Sequence, residues 1–130
     1  MSHPSDASIS VLHPEVRGYL DSLDSDQDPL LSALDARARE RSFPLVGRRS
    51  GHTMELLCRS IGARRVFEFG SGFGYSAYFF ARAVGPGGKV IGSEKDAHEL
   101  DDHRRIYSGH PLAERVDIRH DVHPTYRIDV

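Results

Sequence analysis

Apolar residues recur along this chain in two rhythms, and the rhythms divide it into alternating segments. Val66, Phe67 and Phe69 form a short apolar run broken only by Glu68, and Val90-Ile91 begins a second. Val116 and Ile118 alternate with Arg115, Asp117 and Arg119. Runs this short predict strands near Arg65–Phe69, Lys89–Ser93 and Arg115–Arg119. Elsewhere the spacing is helical. Met54, Leu57, Cys58 and Ile61 fall at i, i+3, i+4 and i+7, as do Ala77, Phe80, Ala81 and Val84, and each set makes one apolar helical face.

Punctuating residues set the helix ends. Pro14 suits the first turn of a helix reaching Leu23, and Pro29 opens another to Arg41 with Leu30, Leu31 and Leu34 inside. Ser50 predicts the N-cap of a third helix, which Gly62 ends. Gly85-Pro86-Gly87-Gly88 stops the helix containing Ala77. Asp96, with Glu99 at the capping-box position, starts a last helix to about Tyr107. The apolar face of that helix is thin, which predicts an exposed element. Strands alternating with helices predict an α/β fold: a Rossmann-like parallel sheet with flanking helices, in three layers and spatial order 3-2-1. The first strand is expected to be buried on both faces.

Between the first strand and its helix, Gly70, Gly72 and Gly74 stand at alternate positions. Glycine accepts positive φ and lets a ligand lie against the backbone, and the amides opening the next helix carry partial positive charge. The spacing is neither the dinucleotide fingerprint nor a P-loop, because no Gly-Lys-Ser/Thr follows. Glu94 ends the second strand. In a parallel strand–helix–strand unit it falls beside the glycine turn, where a carboxylate can accept hydrogen bonds from ribose hydroxyls.

Composition narrows the setting. With 130 residues the chain holds one domain, read as a flexible N-terminus at 1–12 and a domain at 13–130. A net charge of −2 implies no strong pull toward nucleic acid or membrane phosphate. Cys58 is the only cysteine, so no intrachain disulfide forms and a reducing cytoplasm is the default. It reads as a core residue rather than a nucleophile. No apolar run is long enough to span a bilayer, and no signal-peptide pattern opens the chain. Asp24, Asp26 and Asp28 read as a solvated turn, because the glycine and closing glutamate of a calcium loop do not follow. His52 reads as a surface histidine, and His120, Asp121 and His123 as solvent-exposed rather than a metal site.

Glu68-x-Gly70-x-Gly72-x-Gly74, followed by Glu94, resembles motifs I and II of class I S-adenosylmethionine-dependent methyltransferases. With Gly74-Tyr75-Ser76-Ala77, Pro44-Leu45-Val46-Gly47 and Ser50-Gly51, the chain is similar to the catechol and caffeoyl-CoA type of small O-methyltransferase between Pro29 and Asp121. The resemblance implies S-adenosylmethionine across the carboxyl edge of the first two strands. It implies a main-chain contact from Val46 to the methionine end. Glu68 is expected to orient the glycine turn or reach the cofactor's amino group, and Gly70, Gly72 and Gly74 to admit the cofactor. Ser76 is expected to take the methionine carboxylate through hydroxyl and amide. Glu94 would hold both ribose hydroxyls, and Asp121 would lie near the adenine amino group.

The same resemblance implies a small-molecule hydroxyl acceptor. The family's metal-binding acids and lysine base lie beyond the third strand, and the tail from Val122 to Val130 does not resemble that region. No residue is therefore assigned to catalysis or to metal. Magnesium is expected only in a full-length relative. The expectation is a truncated chain, frameshifted or partial, that keeps the cofactor half of the fold. Its first strand would have an unpaired apolar edge, which favours homo-oligomers. The alternatives are another class I methyltransferase, of protein-isoaspartyl or transfer-RNA type, or a non-catalytic cofactor-binding remnant. Pro44 to Gly51 and Tyr75-Ser76 favour the O-methyltransferase; the missing acceptor half favours the remnant for the isolated chain.

Overall fold

The structure, a computed structural model, describes residues 11–121. The expectations for the first ten residues and for the tail that includes His123 fall outside that range. Helices α1 (Pro14–Ser22), α2 (Pro29–Arg41) and α3 (Gly47–Ser60) precede strand β1 (Arg65–Phe69). Then come α4 (Tyr75–Val84), β2 (Lys89–Glu94), α5 (Ala97–Tyr107), a 3-10 turn at Pro111–Arg115 and β3 (Val116–His120). The strands form a parallel sheet in the order β1-β2-β3, as the alternation requires.

The register places residues in rows across the sheet. Val66, Val90 and Val116 make one row, and Glu68, Gly92 and Ile118 the next on the same face. Helices α4 and α5 lie against this sheet, and Val90 and Ile118 beneath them are buried. In the alternate rows, Phe67–Ile91–Asp117 and Phe69–Ser93–Arg119, the outer members are exposed, Phe67 at 38 % and Phe69 at 56 %, while Ile91 is half-buried and Ser93 buried. Among the described residues the sheet is therefore covered on one face. This corrects the expectation of three layers and of a first strand buried on both sides: β1 is an edge strand with one bare face. Its apolar run, broken only by Glu68, is what a central strand requires, but no described residue supplies the second layer.

The central helix is buried more widely than its periodicity indicates. Ala77, Ala81 and Val84 are enclosed, but so are Tyr75, Tyr78 and Phe79. Helix α3 packs on that second side, and Phe79 fills the space a Cβ on Gly51 would occupy. Cys58 is buried there, as expected, and burial pushes its thiol pKa up. His52 is half-buried, its ring 5.1 Å from that of Phe79.

Two helix readings and one turn reading are corrected. Helix α3 begins at Gly47, with Val46 at the cap making no side-chain bond, so Ser50 lies inside it. Arg48 in the first turn explains the early start: it reaches Asp35 at 2.7 Å and the Asp26 carbonyl at 2.9 Å. Helix α5 is not an exposed element. Asp96 does cap it, accepting from the His98 amide at 2.9 Å. Glu99, however, is buried and pairs with Arg41 at 2.6 Å, while Asp102 pairs with Arg37 at 2.7 Å. Helix α2 thus holds α5 through ion pairs, which an apolar periodicity does not register. The Asp24–Asp28 turn is likewise more than solvated. Asp26 pairs with Arg82 and Asp24 with Arg48, while Asp28 caps α2 through the Leu30 amide at 2.8 Å.

Candidate cofactor site

The site forms where β1 and β2 end. Gly70, Gly72 and Gly74 all adopt positive φ, at 68°, 54° and 95°. These angles carry the chain from β1 into α4 within a few residues. The Ser71 amide donates to the Ser93 carbonyl and the Gly74 amide to the Ser71 carbonyl, both at 3.0 Å. Gly92 in β2 leaves room for this turn, because Ser71 Oγ occupies the space of the missing Cβ.

A cavity of about 270 Å³ opens beside the turn, lined by the extended segment 43–46, by Glu68 to Gly72, and by Tyr75 and Ser76. Five of the residues singled out from sequence meet here: Val46, Glu68, Gly70, Gly72 and Ser76. Phe43, which the sequence did not single out, covers the turn. A Cβ on Gly72 would lie 3.1 Å from its ring. Its only sequence signal is its place just before Pro44.

Gly74 faces the other way. A Cβ there would lie 2.9 Å from His103 Nδ1 and 3.0 Å from Tyr107 Cε2, so the missing side chain serves the packing of α5. Tyr107 donates its hydroxyl proton to the Gly74 carbonyl at 2.6 Å in a buried bond, which the sequence did not reveal.

Glu94 anchors the turn to β2. Its Oε2 accepts from the Gly72 amide at 2.8 Å, and its Oε1 accepts from the Lys95 and Asp96 amides at 2.8 and 2.9 Å. A carboxylate offers about four acceptor positions. Three are filled, and one position on Oε2 remains. Asp121 follows β3, and its amide donates to the Glu94 carbonyl at 2.8 Å. The three strand ends are thereby drawn to one edge.

Glu68 and Ser76 form the inner wall. The Ser76 hydroxyl donates to Glu68 Oε1. A serine hydroxyl has one proton, so in this arrangement Ser76 offers a ligand its amide and not its O–H. Burial pushes the Glu68 carboxyl above its ordinary pKa, and the Ser76 and Ser71 hydroxyls only partly offset this. Among the described residues no group of histidines, cysteines and acids is arranged to hold a metal ion.

A family model described as O-methyltransferase matches residues 21–125. The chain is 33 % identical over 107 residues to a catechol O-methyltransferase of Mycobacterium tuberculosis, covering 81 % of this chain and 49 % of that protein. Among solved structures, a methyltransferase from Geobacter sulfurreducens superposes with a TM-score of 0.78 at 29 % identity. That match covers 86 % of this chain and 59 % of the other. An O-methyltransferase from Bacillus cereus, solved in complex with SAH, gives 0.72 at 27 % identity, covering 82 % and 49 %. The chain spans about half the length of the curated relative it matches.

Proposed function

The chain belongs to the O-methyltransferase family, and on that premise we propose that it binds S-adenosylmethionine at the carboxyl edge of β1 and β2 for methyl transfer to a small-molecule hydroxyl. The observation that carries this reading is the cavity walled by Val46, Glu68, Gly70, Gly72 and Ser76, beside a turn that Glu94 holds in place. The donor set fits such a ligand. Gly70 and Gly72 expose backbone where a Cβ would intrude, and the first amides of α4 suit a carboxylate. The remaining acceptor position on Glu94 suits one ribose hydroxyl. Asp121, beside Glu94, takes the adenine end, and Gly74 acts through the turn rather than by contact.

S-adenosylmethionine supplies, when bound, an electrophilic methyl group on a sulfonium. The chain's own contribution is positioning: the reacting groups are held in line, so part of the barrier is met by orientation. No described residue is assigned as base or metal ligand, and the acceptor is a hydroxyl compound of the catechol class, by analogy with the relative. The outer edge of β1, unpaired among the described residues, with Leu57 and Ile61 exposed nearby, supports self-association of this chain.

Isothermal titration with S-adenosylmethionine tests the binding. A saturable heat that Gly72→Val removes is the expected result, because valine would fill the space between the turn and Phe43. A parent chain that shows no binding overturns the reading. Methyl transfer to a catechol in the presence of magnesium tests whether the activity resides in this chain.

A further inference from the structure

Glu68 occupies an unusual position for a carboxylate. It lies in the row Glu68–Gly92–Ile118, on the sheet face that α4 and α5 cover, and it forms part of the cavity wall. Its Oε1 meets the Ser76 hydroxyl, while its Oε2 is sealed from solvent and makes no hydrogen bond of normal geometry; the Ser71 hydroxyl, itself without a partner, is the other polar group acting on the carboxyl. None of the ion pairs among the described residues includes it. Arg48 and Arg41 are committed elsewhere, Arg48 to Asp35 and Asp24 and Arg41 to Glu99 and Asp102. A buried ionised carboxylate without a counter-charge is costly, and the usual resolution is to keep a proton.

We propose that Glu68 is a charge sensor for the cofactor: it holds a proton in the free chain, releases it to solvent when a sulfonium occupies the cavity, and regains one when that charge is gone. This rests on the S-adenosylmethionine reading. The charge balance is simple. The cofactor carries a sulfonium in addition to its amino-acid zwitterion; the demethylated product carries only the zwitterion. A positive charge in the cavity favours ionisation of an acid in its wall, because the attraction is screened less there than in bulk water. Methyl transfer removes the sulfonium and leaves Glu68 again without a counter-charge. The direction of the Glu68 shift agrees, since burial raises its pKa.

Other titratable groups surround the cavity. On α4, Tyr75 donates to Asp35 of α2, and burial holds the tyrosine's pKa above its usual range. On α5, burial pushes Tyr107 up and His103 down, so each is shifted toward its neutral form. Glu94 of β2 is fixed by three amides, and Asp121 follows β3. The lining segment 43–46 contains no titratable side chain. The cofactor's amino group stays protonated below about pH 7, in both cofactor and product.

The test is calorimetry of the whole chain with S-adenosylmethionine and, separately, S-adenosylhomocysteine, in buffers of different ionisation enthalpy between about pH 5 and 7. The sulfonium ligand is expected to release close to one proton over part of this range, so its affinity rises up to tenfold per pH unit there. The thioether is expected to release distinctly less. In Glu68→Gln the difference between the ligands disappears. Equal proton release by both ligands, or a difference that persists in Glu68→Gln, overturns the sensor and leaves the binding reading intact. Failure of both ligands to bind overturns both. A ligand-free measurement guards against a variant that binds poorly. Glu68→Gln should melt higher than the parent at about pH 8 and with the parent at about pH 5, because only the ionised acid is penalised by burial. A melting difference that does not change with pH also overturns the proposal.

Discussion

The Gly72 amide donates to Glu94 Oε2 at 2.8 Å, so the glycine turn after β1 is held by the last residue of β2. The two sequence motifs that suggest a cofactor are thus one mechanical unit. Replacing Glu94 removes a ligand acceptor and an anchor together. Glu94→Ala should weaken S-adenosylmethionine binding by about 1.5–3 kcal/mol, roughly ten- to a hundredfold. Glu94→Gln keeps an acceptor oxygen for the amide and should lose less. Calorimetric titration of the pair checks the order; equal affinity of Glu94→Ala and parent would falsify the ribose assignment.

Gly74 tests the back of the turn. An alanine there must hold φ near 95° and place its Cβ 2.9 Å from His103 and 3.0 Å from Tyr107. Left-handed backbone and overpacking together should cost about 2–4 kcal/mol. Thermal denaturation should show a drop on the order of 10 °C. Tyr107→Phe, which loses only the bond to the Gly74 carbonyl, should fall by less.

The ionic hub around α2 gives the fold an acid limit. Burial alone would raise the Asp26 carboxyl, but the Asp28 amide, Arg82 and Tyr78 outweigh it and hold its pKa below the ordinary value. Burial also opposes ionisation of Asp102, and Arg105 and Arg37 overcome it. A depressed folded pKa means the unfolded chain binds the proton first. The stabilisation is present above about pH 4 and is lost as pH falls through the folded pKa. Melting temperature followed downward from about pH 6 should decline, and the decline should be shallower in Asp26→Asn.

The bare side of the molecule predicts association. Ile61 is 81 % exposed, Leu57 61 % and Phe67 38 %, next to the open edge of β1. Light scattering should detect species larger than a monomer at tens of micromolar, an order-of-magnitude working concentration. Ile61→Lys combined with Phe67→Lys should shift the population toward monomer. A monodisperse parent chain would count against this.

The sequence by itself determined the parallel α/β order, because its apolar runs are strand-length and its helical faces keep a 3.6-residue period. It also determined the turn, because three alternate glycines after a strand admit few backbones, and Glu94, because a parallel crossover returns the second strand's end to the same edge. Tertiary structure decided the rest. Helix α5 appears polar in sequence because Glu99 and Asp102 are satisfied by Arg41 and Arg37, more than fifty positions away. Phe79 lies off the periodic face and is buried because α3 approaches over Gly51, and Tyr78 because its hydroxyl reaches Asp28, ahead of α2, at 3.1 Å. Gly74 serves α5 rather than the cavity, and Ser76 directs its proton to Glu68; both depend on which atoms face each other across the covered side of the sheet. A local pattern fixes an element and its buried face, whereas the partner of a polar side chain is set by three-dimensional proximity.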